Sequence, residues 1–242
     1  MNKSLLTLSA VCLLIVASCK KDKGTEPEEQ SKTCQLTESS FIATGGDTEK
    51  ATFAYDEQGR VKTVTYSDGS TDSYSYSTTQ IVLTASGNVV TTYKLDGNGR
   101  ITSESYNDDP SKINYTYNNN GYLAEETEVF SSSTSTTKYT YTGENLTLVD
   151  FGTEKIVVSY STETATANFF TETDDDLPAS VNGVLKSYFG KPSKNLVSKA
   201  TYDGGYAESY TYEKDANGNL TKISVNATGG QGYILTNKYS CK

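Results

Sequence analysis

The sequence lacks histidine and tryptophan altogether and contains a single methionine. Without histidine, Ser-His-Asp and Cys-His catalysis, the commonest general base and every His-containing metal site are excluded. No phosphate-binding glycine loop or cluster of metal ligands stands out, so we expect no metal, nucleotide or redox cofactor. Long apolar runs are also missing beyond the N-terminus. Mean hydropathy is −0.54 and 35% of the residues are hydrophobic, which is too polar for membrane-spanning helices.

Tyrosine is abundant, at 19 of the 242 residues, and a short pattern is repeated four times. Each repeat is an Asp or Asn, a glycine three residues later and an aliphatic residue two beyond that. The four copies lie at 56–61, 96–101, 118–123 and 215–220. The Asx side chain accepts backbone N–H groups and the glycine supplies a positive φ, as in a bulged hairpin loop. We therefore predict four hairpin turns with left-handed glycines, which are Gly59, Gly99, Gly121 and Gly218.

Segments rich in Thr, Tyr and Val flank these turns and continue through most of residues 34–242. Almost every connection is shorter than the dozen residues that a parallel crossover needs, so neighbouring strands should be antiparallel. Asp68-Gly69 predicts a two-residue hairpin with Val64 and Tyr74 on one face. The predicted fold class is all-β: a long, curved, barrel-like antiparallel meander of about 14–16 strands with one short helix. Its closure into a barrel is left open.

The hairpin pattern breaks at the stretch from Asp174 to Pro178. Pro178 suits the first turn of a helix and Gly190 suits its end. Apolar residues recur between them at helical spacing, at Val181, Val184, Leu185, Tyr188 and Phe189. We predict a helix near 176–190 that plugs or caps the sheet. Asp174, Asp175 and Asp176 could bind Ca²⁺ or supply a carboxylate pair for glycoside hydrolysis, but we favour a solvated loop whose last residue caps the helix.

The first 18 residues have the features of a signal peptide, with Lys3 ahead of a short apolar core at 5–16. Val16-Ala17-Ser18-Cys19 resembles the bacterial lipobox, which implies cleavage before Cys19 and lipidation of that cysteine. The alternative is a plain secretory signal with a chance cysteine. Residues 19–33 are charged and poor in large apolar side chains, so we expect a flexible tether. Acyl chains, at about 0.8 kcal/mol per buried CH₂, would then anchor the chain to a membrane.

Charge and cysteine content limit the partners and the topology. Loss of residues 1–18 would leave 20 basic and 30 acidic residues, a net charge of −10, which argues against nucleic acid or anionic lipid head groups as partners.

In an oxidising compartment we predict a Cys34–Cys241 disulfide that stabilises the fold by up to about 5 kcal/mol. The ends of a flat meander would lie roughly 70 Å apart, so this bond requires a sheet that curls back or ends that meet across an open side. The alternative is two exposed thiols at frayed termini.

These motifs carry two resemblances. The stretch from Tyr55 to Val61, YDEQGRV, resembles a Tyr-Asp repeat of large shell-forming toxins. The lipobox, the hairpins and the stretch from Tyr188 to Leu196, YFGKPSKNL, together are similar to a domain-of-unknown-function family of Bacteroidota lipoproteins described as having a porin-like fold. That resemblance implies a long curved antiparallel sheet and brings no activity. Predicted strands of about 6–8 residues with a polar outer face differ from an outer-membrane barrel, so we expect only the lipid to touch the membrane.

Two sets of side chains could form a binding surface. The tyrosines could stack on glycan rings, since a ring face and a hydroxyl suit sugars, although a period-2 row is more often a core face or a cross-strand ladder. A group of lysines could dock an acidic partner, although such groups are usually only solvated. They are Lys186, Lys191, Lys194 and Lys199.

Three classes of function remain. The first, which we favour, is a module anchored to the outer membrane by its lipid that binds a glycan or another envelope protein. The second is a structural envelope lipoprotein without a ligand. The third is a carboxylate-dependent hydrolase, which is disfavoured because no spaced acid pair lies in a predicted strand. We therefore expect no enzyme and assign no catalytic residue. The face of the outer membrane is left open.

Overall fold

The computed structural model describes residues 33–46, 48–165 and 183–242. The predicted signal peptide, Cys19, the tether and Asp174–Asp176 lie outside these ranges. The strands, in chain order, are β1 Cys34–Ala43, β2 Thr48–Tyr55, β3 Val61–Tyr66, β4 Thr71–Tyr76, β5 Gln80–Thr84, β6 Val90–Leu95, β7 Ile101–Tyr106, β8 Lys112–Tyr117, β9 Leu123–Val129, β10 Thr134–Thr142, β11 Asn145–Asp150, β12 Lys155–Thr164, β13 Asn195–Tyr202, β14 Ala207–Lys214, β15 Leu220–Ala227 and β16 Gly232–Cys241. Three short 3-10 segments accompany them, at Ser86–Asn88, Lys186–Tyr188 and Asp203–Gly205.

Each strand pairs antiparallel with the next one in the chain, and β16 pairs antiparallel with β1, so the sheet is a closed barrel. The closing pair extends from Cys34 opposite Cys241 to Ala43 opposite Tyr233, with one register shift between Leu36 and Glu38. A disulfide joins Cys34 to Cys241 across 207 residues of sequence. The predicted all-β antiparallel meander is confirmed. The disulfide allowed either a sheet that curls back on itself or ends that meet across an open side, and the closed barrel is the first of these. Closure also pairs both edges of each strand that the structure describes.

Every second side chain along a strand points into the barrel, and these side chains fill it. In the hairpin of β3 and β4, Val64 and Tyr74 are buried, whereas Thr65, Ser73 and Ser75 are exposed. The same period of two places aliphatic and tyrosine side chains from every part of the barrel in one core. The largest fully buried side chains are Tyr93, Ile81, Ile101, Leu123, Ile156, Leu185, Leu220, Ile223 and Leu235. In the described residues, no helix is long and apolar enough to cross a membrane.

The four repeated turns share one set of hydrogen bonds. In the first, the Asp56 N–H donates to the Arg60 carbonyl at 2.9 Å, and Asp56 Oδ1 accepts the N–H groups of Gln58 and Arg60 at 3.0 and 2.9 Å. Gly59, with φ of 76°, donates its N–H to the Asp56 carbonyl at 3.0 Å. The glycines of the other three turns, Gly99, Gly121 and Gly218, have φ of 77°, 86° and 82°. The predicted left-handed glycines are confirmed.

The turn at Asp68-Gly69 differs from the prediction. Tyr66 N–H donates to the Ser70 carbonyl and Gly69 N–H to the Tyr66 carbonyl, both at 3.0 Å. The loop therefore has three residues, not two, with Gly69 at φ of 87° in the bulge position. The cause is local, because Asp68 Oδ1 accepts the N–H of Ser70 at 2.8 Å and stabilises the longer loop.

A row of tyrosine hydroxyls ties neighbouring hairpins together at one end of the barrel. Each donates to the backbone carbonyl of a residue near one end of a strand preceding it in the chain. The pairs are Tyr55 to Leu36 at 2.7 Å, Tyr76 to Val61 at 2.7 Å, Tyr117 to Ile101 at 2.6 Å, Tyr212 to Val197 at 2.7 Å and Tyr239 to Leu220 at 3.0 Å. These tyrosines are a core face whose polar tips are satisfied inside the protein.

The predicted helix near 176–190 is wrong in the part that the structure describes. Residues 183–190 form a turn and the single 3-10 segment Lys186–Tyr188, with bonds from Tyr188 N–H to the Leu185 carbonyl and from Phe189 N–H to the Lys186 carbonyl. A bridge between Gly190 and Tyr122 follows directly and leaves no length for a regular helix. The plugging role is nevertheless confirmed for this mouth segment (residues 183–190). Leu185 and Phe189 are buried in the core, where the Phe189 ring meets Tyr115 edge-on at 5.0 Å.

The docking of the mouth segment generates a stability prediction. Gly190 and Gly99 both have positive φ, of 85° and 77°, so alanine at either position should cost about 1–2 kcal/mol of unfolding free energy from backbone strain. At Gly99 an added Cβ meets nothing within 4 Å, but at Gly190 it lies 2.5 Å from the Gly121 carbonyl oxygen and 2.9 Å from the Tyr117 ring. We expect Gly190→Ala to cost roughly 1–3 kcal/mol more than Gly99→Ala in urea denaturation. Equal losses would contradict this contact.

Candidate functional site

The two ends of the barrel differ in charge. Because consecutive strands alternate in direction, all loops that follow even-numbered strands lie at one end, called here the repeat-turn end. The loops at the opposite end carry only acidic charges among the described residues, at Asp68, Asp108, Asp109, Glu154 and Asp203. Those at the repeat-turn end mix acidic residues with basic ones, at Arg60, Arg100, Lys186, Lys191 and Lys194.

A cavity of about 610 Å³ opens at the repeat-turn end, between the β1–β2–β3 wall and the mouth segment. Its aromatic lining consists of Phe53, Tyr55, Tyr76 and Tyr188, and its amide lining of Gln35, Gln58 and Asn219. Arg60 and Lys186 also line it, and no Asp or Glu does among the described residues. We call this space the mouth cavity. Its volume is in the range of small-molecule binding pockets.

Arg60 and two tyrosines form a layered wall of the mouth cavity. The Arg60 guanidinium carbon lies 4.4 Å from the centre of the Tyr76 ring, and the Tyr76 and Tyr188 rings stack at 6.2 Å with 28° between their planes. Asp56 Oδ2 accepts hydrogen bonds from Arg60 at 2.7 Å, which orients the guanidinium and balances its charge. Beside this wall, burial raises the pKa of Tyr55 to about 12, so its hydroxyl is neutral at physiological pH and donates to the Leu36 carbonyl.

Lys186 reaches the mouth cavity from the 3-10 segment. Its neighbours in sequence, Leu185 and Ser187, are buried and exposed respectively, so the backbone of the segment lies along the boundary between core and solvent. Burial lowers the pKa of the Lys186 ammonium to about 7. The mouth cavity therefore contains an amine whose charge is weakened by burial, together with an arginine that is paired with Asp56.

A second polar group lies inside the barrel and pairs carboxylates with tyrosine hydroxyls. Glu104, on β7, accepts from Tyr106 at 2.5 Å and from Tyr115 at 2.9 Å, and Glu126, on β9, accepts from Tyr139 at 2.9 Å. Burial raises the pKa of both carboxyl groups. Nearby negative charge acts in the same direction, from Glu128 on Glu104 and from Glu104 and Glu128 on Glu126. Each carboxylate accepts a tyrosine hydroxyl, so the cluster is a satisfied buried network.

Similar pairs complete this pattern elsewhere. Glu208 accepts from Tyr210 at 2.7 Å and from Tyr206 at 3.1 Å, and Asp72 accepts from Tyr66 at 2.9 Å. The sequence analysis missed these carboxylates because it looked for two acids in one strand. The available signal was an acidic residue at an inward position, as Glu104 is in Ile101–Tyr106.

The residues singled out in the sequence are dispersed by the fold. Cys34 and Gly59 line the mouth cavity, and the other three repeat glycines lie in turns of the same end. The predicted lysine group separates. Lys186 lines the mouth cavity, Lys191 lies 5.8 Å from the Tyr122 ring centre, Lys194 pairs with Glu144 at 2.6 Å and Lys199 is exposed on β13. In the described ranges, no three His, Cys, Asp or Glu side chains are grouped so that they could hold a metal ion.

Comparison with solved structures defines the class of fold. The chain is similar to the crystal structure of a porin-like protein from Bacteroides uniformis, with 18% identity and a TM-score of 0.68 over 86% of this chain and 96% of that one. It also aligns with the crystal structure of TcdB2-TccC3-TEV, with 18% identity and a TM-score of 0.32 over 79% of this chain and 10% of that one. A score that low defines no common fold. No family model and no curated protein matches the sequence. The chain therefore has a porin-like antiparallel barrel fold.

The buried Glu104 carboxyl generates a pH prediction. Its pKa is raised above the ordinary value of 4.5, so its contribution to the free energy of unfolding is largest below that value and is lost as the pH rises through the raised pKa. Glu104→Gln cannot titrate. Relative to the unmodified protein, the variant should therefore gain stability between pH 4 and pH 8, measured by urea denaturation at each pH.

The matched control for this experiment is Glu57→Gln, at an exposed position of the first repeat turn. It shows how far the removal of a surface carboxyl group by itself changes unfolding over the same pH range. A constant difference between Glu104→Gln and the unmodified protein would contradict the prediction.

Proposed function

We propose that this chain is a lipid-anchored protein of the cell envelope that binds a hydroxyl-rich ligand, a glycan, in the mouth cavity. The observation that carries the proposal is the combination of stacked tyrosine rings and amide side chains around one open space. Ring faces pack against the C–H face of a sugar, while amides and hydroxyls exchange hydrogen bonds with its hydroxyl groups. The porin-like fold supports the location, because the similar protein is described by that name.

The outer face of the barrel supports attachment through a lipid. Outward positions on the strands carry charged side chains, such as Lys62 on β3, Lys94 on β6 and Lys199 on β13, and all three are exposed. Lysine on the lipid-facing surface of a membrane barrel costs about 2–4 kcal/mol at the bilayer midplane. Acyl chains on Cys19 would provide the membrane contact without inserting these residues.

Binding is a better account of the mouth cavity than catalysis. Its described lining offers a stacking wall and two cations, and the general acid and base of a glycoside hydrolase are carboxyl groups. The carboxylates of Glu104 and Glu126 are engaged by tyrosine hydroxyls in the core. We therefore extend the proposal: the protein acts as a binding module and not as a hydrolase.

The anchor can be tested by metabolic labelling with a palmitate analogue in a diderm bacterium that expresses the full-length chain. Label should appear on the unmodified protein and be lost in Cys19→Ser, because lipidation takes place on that sulfur. The matched control is Cys12→Ser, within the predicted signal peptide, which should keep the label. Unchanged labelling of Cys19→Ser, or no label on any of the three proteins, would reject the anchor.

The ligand can be tested with a glycan array probed by the purified full-length chain. For the glycans retained, Tyr188→Ala should weaken binding about tenfold in calorimetry, because it removes one ring of the stacking wall. The matched control is Tyr206→Ala, at the opposite end of the barrel, which should leave the affinity unchanged. An array without any retained glycan would favour a structural role, and equal effects of the two variants would place binding outside the mouth cavity.

A further inference from the structure

Two buried polar side chains lie side by side on the closing pair of strands. Ser39 on β1 is paired in register with Asn237 on β16, and only 2% and 4% of their surfaces are exposed. Within the part of the chain that the structure describes, neither Ser39 Oγ nor Asn237 Oδ1 has a hydrogen-bond partner. Buried polar atoms in folded proteins are nearly always paired, so two such atoms at adjoining positions indicate a missing third group.

Both side chains point into the barrel. On β16, Thr236 and Lys238 are exposed while Leu235 and Asn237 are buried, as the period of two requires. Asn237 Nδ2 donates to the Leu220 carbonyl at 3.1 Å, which orients the amide and leaves Oδ1 as the atom that needs a donor. The serine contributes a hydroxyl, which can both donate and accept. The pair therefore matches a group that has one O–H to donate and an oxygen to accept with.

The surroundings of the pair suit a small and neutral group. On its other side Ser39 is paired with Ala51, so two adjoining inward positions carry short side chains and leave room between the strands. The next inward neighbours in the register are apolar, at Leu36, Phe41 and Leu235. An ion would lose its hydration there without a counter-charge. A hydroxyl oxygen needs only the hydrogen bonds that the pair offers.

The pair lies one layer below the mouth cavity. Leu36 on β1 and Phe53 on β2 line that cavity. The next inward positions along the same strands are Ser39, which follows the register shift in β1, and Ala51. A hydroxyl group can therefore come from two sources, a water molecule enclosed in the barrel or a sugar that extends below the layer of Leu36 and Phe53.

We propose that Ser39 and Asn237 form a binding site for one neutral hydroxyl group inside the barrel. The bound O–H donates to Asn237 Oδ1, and its oxygen accepts a hydrogen bond from the Ser39 hydroxyl, so one guest oxygen satisfies both side chains. The site goes beyond the proposed function, because water alone is sufficient to fill it.

Removal of the serine hydroxyl tests the site, because a filled site and an unfilled one predict opposite signs. With water bound, Ser39→Ala removes a hydrogen bond from the guest and should raise the unfolding equilibrium constant about fivefold in urea denaturation of the purified full-length chain. With nothing bound, the same change removes a buried hydroxyl that has no partner, and the protein should become more stable.

The matched control is Ser40→Ala. Ser40 follows on the same strand and is also buried, but it is paired with the exposed residues Lys50 and Thr236 on the outward face. It reports the general effect of replacing serine by alanine in β1, which the strand preferences of the two residues also influence. The change in stability of Ser39→Ala is therefore taken relative to Ser40→Ala.

Calorimetry with two neutral oligosaccharides, cellotriose and chitotriose, distinguishes the two sources of the hydroxyl. If a sugar hydroxyl fills the site, Ser39→Ala should weaken binding about fivefold and Ser40→Ala should leave it unchanged. Crystals of the protein, free and soaked with each sugar, give the direct observation. An oxygen should lie within hydrogen-bond distance of both Ser39 Oγ and Asn237 Oδ1, as water in the free crystal or as part of the sugar in the soaked one.

Each combination of results decides the inference. A loss of stability with unchanged affinity assigns the site to water, weaker sugar binding without a loss of stability assigns it to the sugar hydroxyl, and losses in both show that the sugar replaces the water. A gain in stability with unchanged affinity, or with no binding of either sugar, would overturn the inference, as would crystals without an oxygen at the pair. Stability is measured without ligand, so failure of both sugars to bind counts against the proposed function and leaves a water site intact.

Discussion

The pairing of the first strand with the last is the interaction on which the rest of the structure depends. A meander of sixteen strands that stays open has two unpaired edges and an exposed inner face. Register between β1 and β16, reinforced by the disulfide from Cys34 to Cys241, converts that sheet into a barrel with one continuous core. The bond spans 207 residues, so it restricts the unfolded chain as well as the closing pair.

Closure gives the tyrosines their role. Inside a barrel their rings fill the core while their hydroxyls need partners, and the carbonyls near strand ends provide them, as Leu36 does for Tyr55. Farther along the strands the partners are carboxylates instead, such as Glu104 for Tyr115. One residue type thus seals the repeat-turn end and builds a buried polar network elsewhere in the barrel. Tyrosine, in these two roles, supplies most of the aromatic side chains in the core of a chain that has no tryptophan.

The mouth cavity arises where this filling is incomplete. The mouth segment inserts Leu185 and Phe189 into the core and is fixed by the contact of Gly190 with the third repeat turn. On its other side it faces β1 to β3 without closing on them, and the space between is lined by Tyr188 and Lys186. The same segment therefore stabilises the barrel and supplies the groups to which we assign binding. The acidic loops at the far end make the two ends of the molecule electrostatically distinct.

The sequence by itself determined what depends on near neighbours. Asx-to-glycine spacing specifies turns such as Asp56–Arg60, and the period of two assigns Val64 and Tyr74 to the core, because both follow from backbone geometry within a few residues. Helical spacing in residues 184–189 was misleading, since a docked 3-10 turn buries apolar side chains at similar intervals. Closure of the barrel and the stacking of Tyr76 on Tyr188 were decided by the tertiary structure alone, because they join residues far apart in the chain. The hydrogen bond from Tyr115 to Glu104 joins neighbouring strands, and it depends on the register between β7 and β8, which the sequence pattern did not specify.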